Sequence, residues 1–194
     1  CDRALTHDPS PIRYWNRVFW ELLRAIVPAG PALALFAWYS GISAVQGSSN
    51  LWVTALLIAP GVSAVIGLAM IAVVLALKWV LLGKVRPGTH ALWSCWCSRW
   101  DFLYVAWGMW ASVPLAFLEG TLLLVGYLRA MGCTIGRRAL LGNGFAHVVD
   151  PDMLRFGDDV TVDALFQAHT FEDRVLKVDH VDLRDGCTIG ANTV

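Results

Sequence analysis

A short polar run near the C-terminal end of the chain contains residue types suited to acid–base chemistry. The run reads Gln167-Ala168-His169-Thr170-Phe171-Glu172-Asp173-Arg174. Histidine changes its charge near neutral pH, so His169 can act as a general acid or base. Glu172 or Asp173 can hold its second ring nitrogen and fix the tautomer, and Arg174 can pair with a carboxylate. The alternative is that His169 forms a hydrogen bond within a loop and that the neighbouring charges form a solvated cluster.

This run interrupts a six-residue repeat, which predicts the element that positions it. The repeat pairs an aliphatic or small residue with a short or acidic one at Ile135-Gly136, Leu141-Gly142, Phe156-Gly157, Val162-Asp163 and Ala168-His169, and resumes at Leu183-Arg184 and Ile189-Gly190. A period of six is typical of a parallel β-helix, in which three hexads form a triangular coil of about 18 residues. We expect the first residue of each pair to point inward and Gly or Asp to take the corner. At the break, His169 should point outward into a groove lined by loops.

The rest of the chain has the composition of a membrane protein. It is 57% hydrophobic, contains ten tryptophans and has a mean hydropathy of +0.56. Up to Glu119 there are eight Lys/Arg against five Asp/Glu, and from Gly120 onward seven against ten. A basic membrane half followed by an acidic soluble half explains this distribution, and nothing indicates binding of nucleic acid.

The stretch 25–77 has no charged residue and is long enough for two spans of about 20 residues each. We place the spans at about 25–45 and 51–77, with a kink near Pro60 in the second. Lys and Arg flank both ends of this stretch, whereas the connecting loop has no positive charge. The positive-inside rule therefore predicts a transmembrane α-helical hairpin with both ends in the cytoplasm. The protein is then integral to the inner or plasma membrane, with its C-terminal domain on the cytoplasmic side.

Shorter segments complete the predicted organisation. Residues 1–13 read as a linker, and residues 14–131 form the membrane domain. Within that domain, 14–24 is an amphipathic helix at the membrane interface. The tryptophan-rich stretch 93–117 is short for a span and is interpreted as an interfacial or re-entrant helix in preference to a third span. The predicted helix 120–131 leads into a partial left-handed β-helix domain at 132–194. Because the chain begins without Met and stops inside a hexad, we expect it to be part of a longer protein.

Neither the cysteines nor the histidines predict a metal site. The five cysteines are odd in number and include no CxxC pair, which argues against a disulfide framework or a zinc knuckle. His147, His169 and His180 invite comparison with the γ-class carbonic anhydrases, which bind metal on a left-handed β-helix. Their offsets of 22 and 11 residues do not stack on one edge of an 18-residue coil. We expect no metal.

The order of these segments carries a resemblance to a known family. Two membrane helices are followed by the segment Lys78–Gly88, a tryptophan-rich helix, Glu119-Gly120-Thr121, Tyr127–Gly132, Ile135-Gly136 and the His169 run. From about Tyr14 onward, the chain resembles the C-terminal region of membrane-bound non-ribosomal peptide synthetases of the ε-poly-lysine synthetase type. The hexads resemble the left-handed β-helix of hexapeptide-repeat acyltransferases. In the synthetase family, adenylation and carrier domains precede membrane helices that alternate with tandem hexapeptide-like domains.

The resemblance implies a membrane-anchored acyl or peptidyl transferase module. An amino-acid or short-peptide amine would attack an aminoacyl thioester held on the phosphopantetheine arm of a carrier domain, and this fragment would bind no cofactor itself. Its partners would be upstream adenylation and carrier domains and other β-helix domains of the same chain; homo-oligomerisation stays open. His169, Glu172 and Asp173 would be catalytic. Gln167, Thr170 and Arg174 would bind the substrate or the carrier, with Arg174 steering an acidic carrier.

Two other functions are compatible with the same sequence. The first is a CoA-dependent acetyltransferase with hexapeptide repeats, which would use CoA as the acyl carrier. The second is a non-catalytic scaffold copy within a tandem array. A downstream copy of the His169 run would favour the scaffold, and an upstream carrier motif would favour the synthetase module.

Overall fold

The computed structural model describes residues 9–46, 50–164, 166–172 and 174–191. Asp173, one of the predicted catalytic residues, lies outside the described residues. The helices are α1 (Pro11–Ile26), α2 (Ala29–Gln46), α3 (Leu51–Leu81), α4 (Cys95–Trp110), α5 (Ser112–Ala116) and α6 (Leu122–Met131). The strands are β1 (Gly88–Ala91), β2 (Thr134–Ile135), β3 (Leu140–Leu141), β4 (Leu154–Phe156), β5 (Thr161–Val162), β6 (His169–Glu172), β7 (Val175–Val178), β8 (Val181–Leu183) and β9 (Thr188–Ile189).

Two helical stretches, Pro11–Val45 and Leu51–Leu81, are long and apolar enough to cross a membrane, judged by length and composition alone. They contain the two predicted spans, at 25–45 and 51–77. Asn50 begins α3, because its side-chain oxygen accepts a hydrogen bond from the Trp52 N–H at 3.0 Å. Two long apolar helices separated by a short connection are therefore present.

The second long helix is irregular where the sequence predicts a kink. Residues Thr54–Ile58 of α3 form a π-helical turn just before Pro60. Proline has no N–H to donate to the preceding turn, and its ring crowds the carbonyl four residues earlier. A π turn widens the backbone at that point and accommodates the ring within a continuous helix.

The tryptophan-rich helix α4 packs against α1, α3 and β1. The Ser94 hydroxyl caps it by accepting from the Cys97 N–H at 3.1 Å. Trp100, Tyr104 and Trp107 are buried on one side of the helix, at the spacing of successive turns. The helix ends near Ala111, where the short helix α5 follows, so the predicted 93–117 helix is two elements.

Six of the strands form two parallel three-stranded sheets, in the orders β2-β4-β8 and β3-β5-β9. Each pair β2/β3, β4/β5 and β8/β9 makes one layer of this strand stack. The hexad residues pair in register: Ile135, Phe156 and Leu183 in one sheet, Leu141, Val162 and Ile189 in the other. In the first two layers these side chains are buried, as predicted.

The layers are longer than the predicted coil of about 18 residues. Paired residues are 21 positions apart between the first two layers and 27 between the second and third. The extra residues lie in the connections that follow β3 and β5. We call residues 143–153 the first insertion. The second connection contains β6 and β7, which we call the hairpin. Ala168, predicted to start a hexad, lies just before the hairpin and outside the stack.

The corners of the stack show why glycine recurs there. A Cβ on Gly136 would overlap the backbone carbonyl of Gly157 in the next layer. Two positions further on, Arg138, Asp159 and Gly186 all have positive φ, at 57°, 59° and 71°. The same left-handed turn is therefore repeated in each layer.

The predicted break in the repeat is a β-hairpin instead of a loop. The strands β1, β7 and β6 form an antiparallel sheet in that order, so β1 pairs with β7 and β7 with β6. Arg174 lies in the turn between β6 and β7 with φ of 63°. β1 comes from the segment between α3 and α4.

Candidate functional site

His169 is buried, which corrects the expectation that it points outward. Its side chain is 6% exposed, and its Nδ1 lies 2.8 Å from Oδ2 of Asp150. On β6, His169 shares its face of the sheet with Phe171, because side chains two residues apart point the same way. That face packs against α4, where the Trp100 ring meets the His169 ring edge-to-face with centroids 5.1 Å apart.

Asp150 belongs to the first insertion and is fully buried. Its Oδ1 accepts a hydrogen bond from Trp100 Nε1 at 2.8 Å, and its backbone N–H donates to the Tyr104 hydroxyl at 2.9 Å. Its φ of 57° is left-handed, a conformation that Asp tolerates better than most residues. These contacts with α4 therefore fix the orientation of the Asp150 carboxylate, which contacts His169.

The hydroxyl of Tyr104 stays protonated in this setting. Burial raises its pKa well above the usual value, and the negative charge of Asp150 acts in the same direction. The hydroxyl accepts the Asp150 N–H and anchors the first insertion on α4.

Gln167 contacts the second ring nitrogen of His169. Its Nε2 lies 3.0 Å from Nε2 of His169, and the residue is exposed at the surface. The Asp150 carboxylate accepts from Nδ1–H, so the proton of a neutral ring is on Nδ1 and Nε2 has the lone pair. The Gln167 amide then donates to that lone pair. The arrangement gives a buried imidazole that is oriented on one side and reached from the surface on the other.

Other predicted site residues lie apart from the histidine ring. Glu172 pairs with Lys177 across the hairpin and does not hold a ring nitrogen of His169; Asp150 does that instead. Thr170 is exposed on the opposite face of β6 and stands across from Lys177. The backbone carbonyl of Arg174 accepts from the Leu92 N–H at 3.1 Å. Their catalytic or binding roles stay predictions.

The first insertion is held by α4 and by Glu119, which lies between α5 and α6. Glu119 Oε1 accepts from the N–H groups of Gly144 and Ala146, at 2.7 and 3.1 Å. Trp107 Nε1 donates to the Ala146 carbonyl at 2.9 Å, and His147 Nε2 lies 3.0 Å from the Tyr104 carbonyl oxygen. The tryptophan-rich helix α4 therefore binds the segment that contains Asp150.

A second aromatic–histidine pair lies on the same sheet face. His90 of β1 stacks on Trp96 with ring centroids 3.7 Å apart. Its register partner is Leu176, which in turn pairs with Phe171. Burial lowers the pKa of His90, and the charge of Asp150 opposes that shift. Asp150 therefore acts electrostatically on His90 as well as contacting Nδ1 of His169 directly.

Sequence reasoning missed Asp150, Trp100 and Tyr104. Nothing in the sequence around Asp150 marks its carboxylate as a partner of a histidine 19 residues away. The signal that could have identified the two aromatic residues is the spacing of Trp100, Tyr104 and Trp107. This spacing places two indole N–H donors and one hydroxyl acceptor on a single face of α4.

The described residues form no metal cluster at this site. Within the described ranges, no group of three or more His, Cys, Asp or Glu side chains is arranged to bind a metal. A cavity of about 800 Å³ lies elsewhere, between α2, α3 and the α4–α5 segment, and includes none of the predicted site residues. Its lining is apolar, with Trp38, Met70 and Phe117 among the contributors.

Comparison with known proteins identifies one related enzyme. The chain is 25% identical over 200 residues to the delta-poly-L-ornithine synthetase of Acinetobacter baumannii, an alignment that covers 98% of this chain. The similarity supports a poly-amino-acid synthetase-like family. The chain spans 14% of the length of that relative. No family model matches the chain, and no solved structure does.

Proposed function

We propose that this chain is the amide-forming module of a membrane-anchored poly-amino-acid synthetase, with His169 as its general base. The observation that carries the proposal is the buried His169–Asp150 pair, whose remaining ring nitrogen faces an exposed glutamine. The similarity to a poly-ornithine synthetase supports amide formation as the reaction class. Because that relative is a poly-ornithine synthetase, a diamino acid such as ornithine is the first substrate to test.

The proposed step is attack of an amine on a thioester. As the new C–N bond forms, Nε2 of His169 removes the proton from the attacking nitrogen. The C–S bond then breaks, and His169 returns the proton to the departing sulfur. Asp150 keeps the Nδ1 proton in place and stabilises the imidazolium that forms in between. General base catalysis of this kind contributes typically about 10²–10⁴-fold.

Gln167 is the group that the incoming amine must replace. Its amide donates to the Nε2 lone pair of His169, which is the atom that accepts the proton in the proposed step. A substrate amine can form the same hydrogen bond from the surface side. In this proposal Gln167 faces the substrate, whereas Thr170 and Arg174 would act further out, on the carrier or the acceptor.

In this proposal the acyl donor is an aminoacyl thioester on the phosphopantetheine arm of a carrier domain. An upstream adenylation domain activates the amino acid. We also propose that the strand stack is part of a left-handed β-helix of hexapeptide type. The in-register parallel pairing of the hexad residues and the repeated left-handed corners support this. Further β-helix domains of the same protein are the proposed neighbours.

The membrane setting is part of the same proposal. The arginines of α1 precede α2, Lys84 and Arg86 follow α3, and the loop between α2 and α3 has no positive charge. This distribution supports a hairpin in the inner or plasma membrane with the strand stack in the cytoplasm.

A non-catalytic scaffold is the second candidate, and one observation favours it. His169 is only 8% exposed, and its hydrogen bonds to Asp150 and Gln167 satisfy both ring nitrogens. A histidine in that position can simply join the hairpin to the first insertion. Nothing in the structure favours the CoA-dependent alternative, which stays a prediction from the sequence.

The deciding experiment measures amide formation by the full-length protein in detergent, with His169→Gln compared with wild type. Amino acids are first screened for ATP-dependent loading, beginning with ornithine, and thioester loading is then followed in the same tubes as the product. Loss of product by about 10²–10⁴-fold with intact loading supports the proposal.

Glu172→Gln is the matched control, because Glu172 lies on the same strand but pairs with Lys177. It should retain amide formation if the His169–Asp150 pair supplies the acid–base chemistry, whereas loss of product would support the catalytic role predicted for Glu172 from sequence. If His169→Gln and wild type make product at equal rates, His169 is structural and the scaffold reading stands.

A further inference from the structure

The amphipathic helix α1 exposes a continuous apolar stripe. Its members are 54–79% exposed and recur at intervals of three and four residues: Ile12, Trp15, Phe19, Leu22 and Ile26. Such spacing places them on one face of the helix. Exposed apolar stripes of this size mark a contact surface in folded proteins.

The other faces of α1 are occupied differently. Arg17 and Arg24 both pair with Asp101 of α4, at 3.3 and 2.8 Å. Trp20 packs on Phe102, with ring centroids 5.2 Å apart. One flank of α1 therefore binds α4. The polar edge of the helix includes the exposed residue Glu21. The apolar stripe points away from both.

A bend at Val27-Pro28, which we call the elbow, joins α1 to α2. The helix is interrupted at Val27-Pro28, and Trp110 Nε1 donates to the Val27 carbonyl at 2.7 Å. A Cβ on Gly30 would overlap the Trp110 indole, so a glycine is needed for this close approach. The apolar surface of α1 thus continues directly into that of α2, whose Leu33 and Leu35 are also exposed.

We propose that α1 lies in the headgroup–acyl boundary of the bilayer that α2 and α3 cross. Its apolar stripe would contact the acyl chains, while Arg17 and Arg24 on another flank hold it to Asp101 of α4. Helices with opposed apolar and charged faces bury the apolar side about 5–10 Å into this boundary. The proposal rests on the membrane setting of the proposed function but is independent of the chemistry at His169.

Lipid is favoured over a protein partner because the stripe is continuous with the candidate spans. The straight length of Pro11–Val45 would be about 52 Å at 1.5 Å per residue, well above the hydrocarbon thickness of about 30 Å. The elbow divides this length where a span can begin. Only the part after the elbow then needs to cross.

The position of α1 also sets the position of the candidate site. Asp101, which binds both arginines, is the neighbour of Trp100, and Trp100 donates to Asp150. The site would therefore stand close to the headgroups, and its substrates would approach along the membrane surface.

The test uses nitroxide labels on the full chain reconstituted in vesicles of phosphatidylcholine and phosphatidylglycerol. Single cysteines replace Phe19 or Leu22 on the stripe, Glu21 on the polar edge and the outward-facing Leu68 of α3. Native Cys1, Cys95 and Cys187 are changed to serine, whereas Cys97 and Cys133 are buried and stay. Relaxation by oxygen, which concentrates in lipid, is compared with relaxation by a water-soluble nickel chelate.

Labels at Phe19→Cys and Leu22→Cys should relax several-fold faster with oxygen than with nickel, and the label at Glu21→Cys should show the opposite preference. If the stripe labels behave like the Glu21 label while Leu68→Cys reports lipid, α1 does not lie in the boundary and the inference fails. If Leu68→Cys also reports water, the membrane setting fails as well. Neither result bears on amide formation.

Discussion

Lys78 and Asp152 form an ion pair with 2.9 Å between Nζ and a carboxylate oxygen, and their side chains are 0% and 1% exposed. Lys78 lies in the last turn of α3, whereas Asp152 follows Asp150 by two residues in the first insertion. One carboxylate of the insertion therefore binds the end of a long apolar helix, and the other binds His169. The orientation of the candidate base depends on the position of that helix.

Breaking this pair should destabilise the protein strongly. Lys78→Met leaves the buried carboxylate of Asp152 without its cation, which typically costs about 3–5 kcal/mol of unfolding free energy. Thermal unfolding in detergent measures the change. Lys84→Met is the control, because Lys84 is exposed and should change stability little. The double variant Lys78→Met with Asp152→Leu should recover much of the loss; a loss no greater than that of Lys84→Met would contradict the assignment.

Asp150→Asn should reduce amide formation while preserving the fold. The Asn oxygen can still accept from Trp100, but its amide then faces Nδ1 of His169 and pushes the ring proton to Nε2. The base would lose its lone pair at the reacting nitrogen, for an expected drop of about 10²–10⁴-fold. Nitrogen NMR of labelled histidine reports the tautomer directly, a signal that a purely structural role would not require. Asp163→Asn, at an exposed corner, is the control.

Two corner glycines should respond differently to the same substitution. In Gly136→Ala the new methyl group meets the backbone of Gly157, which cannot move aside without disturbing the stack. Overpacking of this kind costs typically about 1–3 kcal/mol. Gly190→Ala places its methyl in open space and should change stability by less. Chemical denaturation of the two variants gives the comparison, and equal stabilities would show that the layers are not closely stacked at this corner.

Stability should fall as the pH is lowered through 6.5, in part because of His147. Burial lowers its folded pKa below the ordinary value of 6.5, although its hydrogen bond to the Tyr104 carbonyl opposes the shift. Below pH 6.5 the unfolded chain binds a proton that the folded protein does not, so the stability contributed by neutral His147 is present above 6.5 and is lost on acidification.

His147→Gln should flatten that part of the pH profile, since its amide can still donate to Tyr104 but does not titrate. Melting temperatures across the range give the slope for both proteins. Well above pH 6.5 the same comparison reports the cost of the altered contact alone. An unchanged slope in the variant would assign the acid sensitivity to other groups.

The strand stack could be predicted from sequence because its constraint is local. The hexad step at Ile135, Leu141, Phe156 and Val162 identified four buried residues and the parallel pairing between layers. The length of the connections could not be derived in the same way. A loop that leaves the stack carries no periodicity, so the 21- and 27-residue spacings appear only once the strands are paired.

Only part of the candidate site could be predicted from sequence, because the residues that orient His169 lie far from it in the chain. His169 stood out by its residue type and by its place at a break in the repeat. Its orientation came from residues far away in sequence: Trp100 and Asp150 meet it through α4 and the first insertion. Nearby Glu172 offered a plausible partner, but alternation along β6 places its side chain on the opposite face. Neighbours in sequence were the wrong place to look for the carboxylate.

The pairing of β1 with the hairpin has a consequence for synthesis of the chain. Ala91 and its register partner Val175 are more than eighty residues apart, and Gly88 and Val178 about ninety. At translation rates of about 5–20 residues per second, β1 waits roughly 4–20 seconds for its partner strand to be made. Both long apolar helices precede β1 and have been synthesised by then. In the proposed membrane setting, insertion of these helices would begin before the site closes, and the hairpin that contains His169 would be added to a domain that is already anchored.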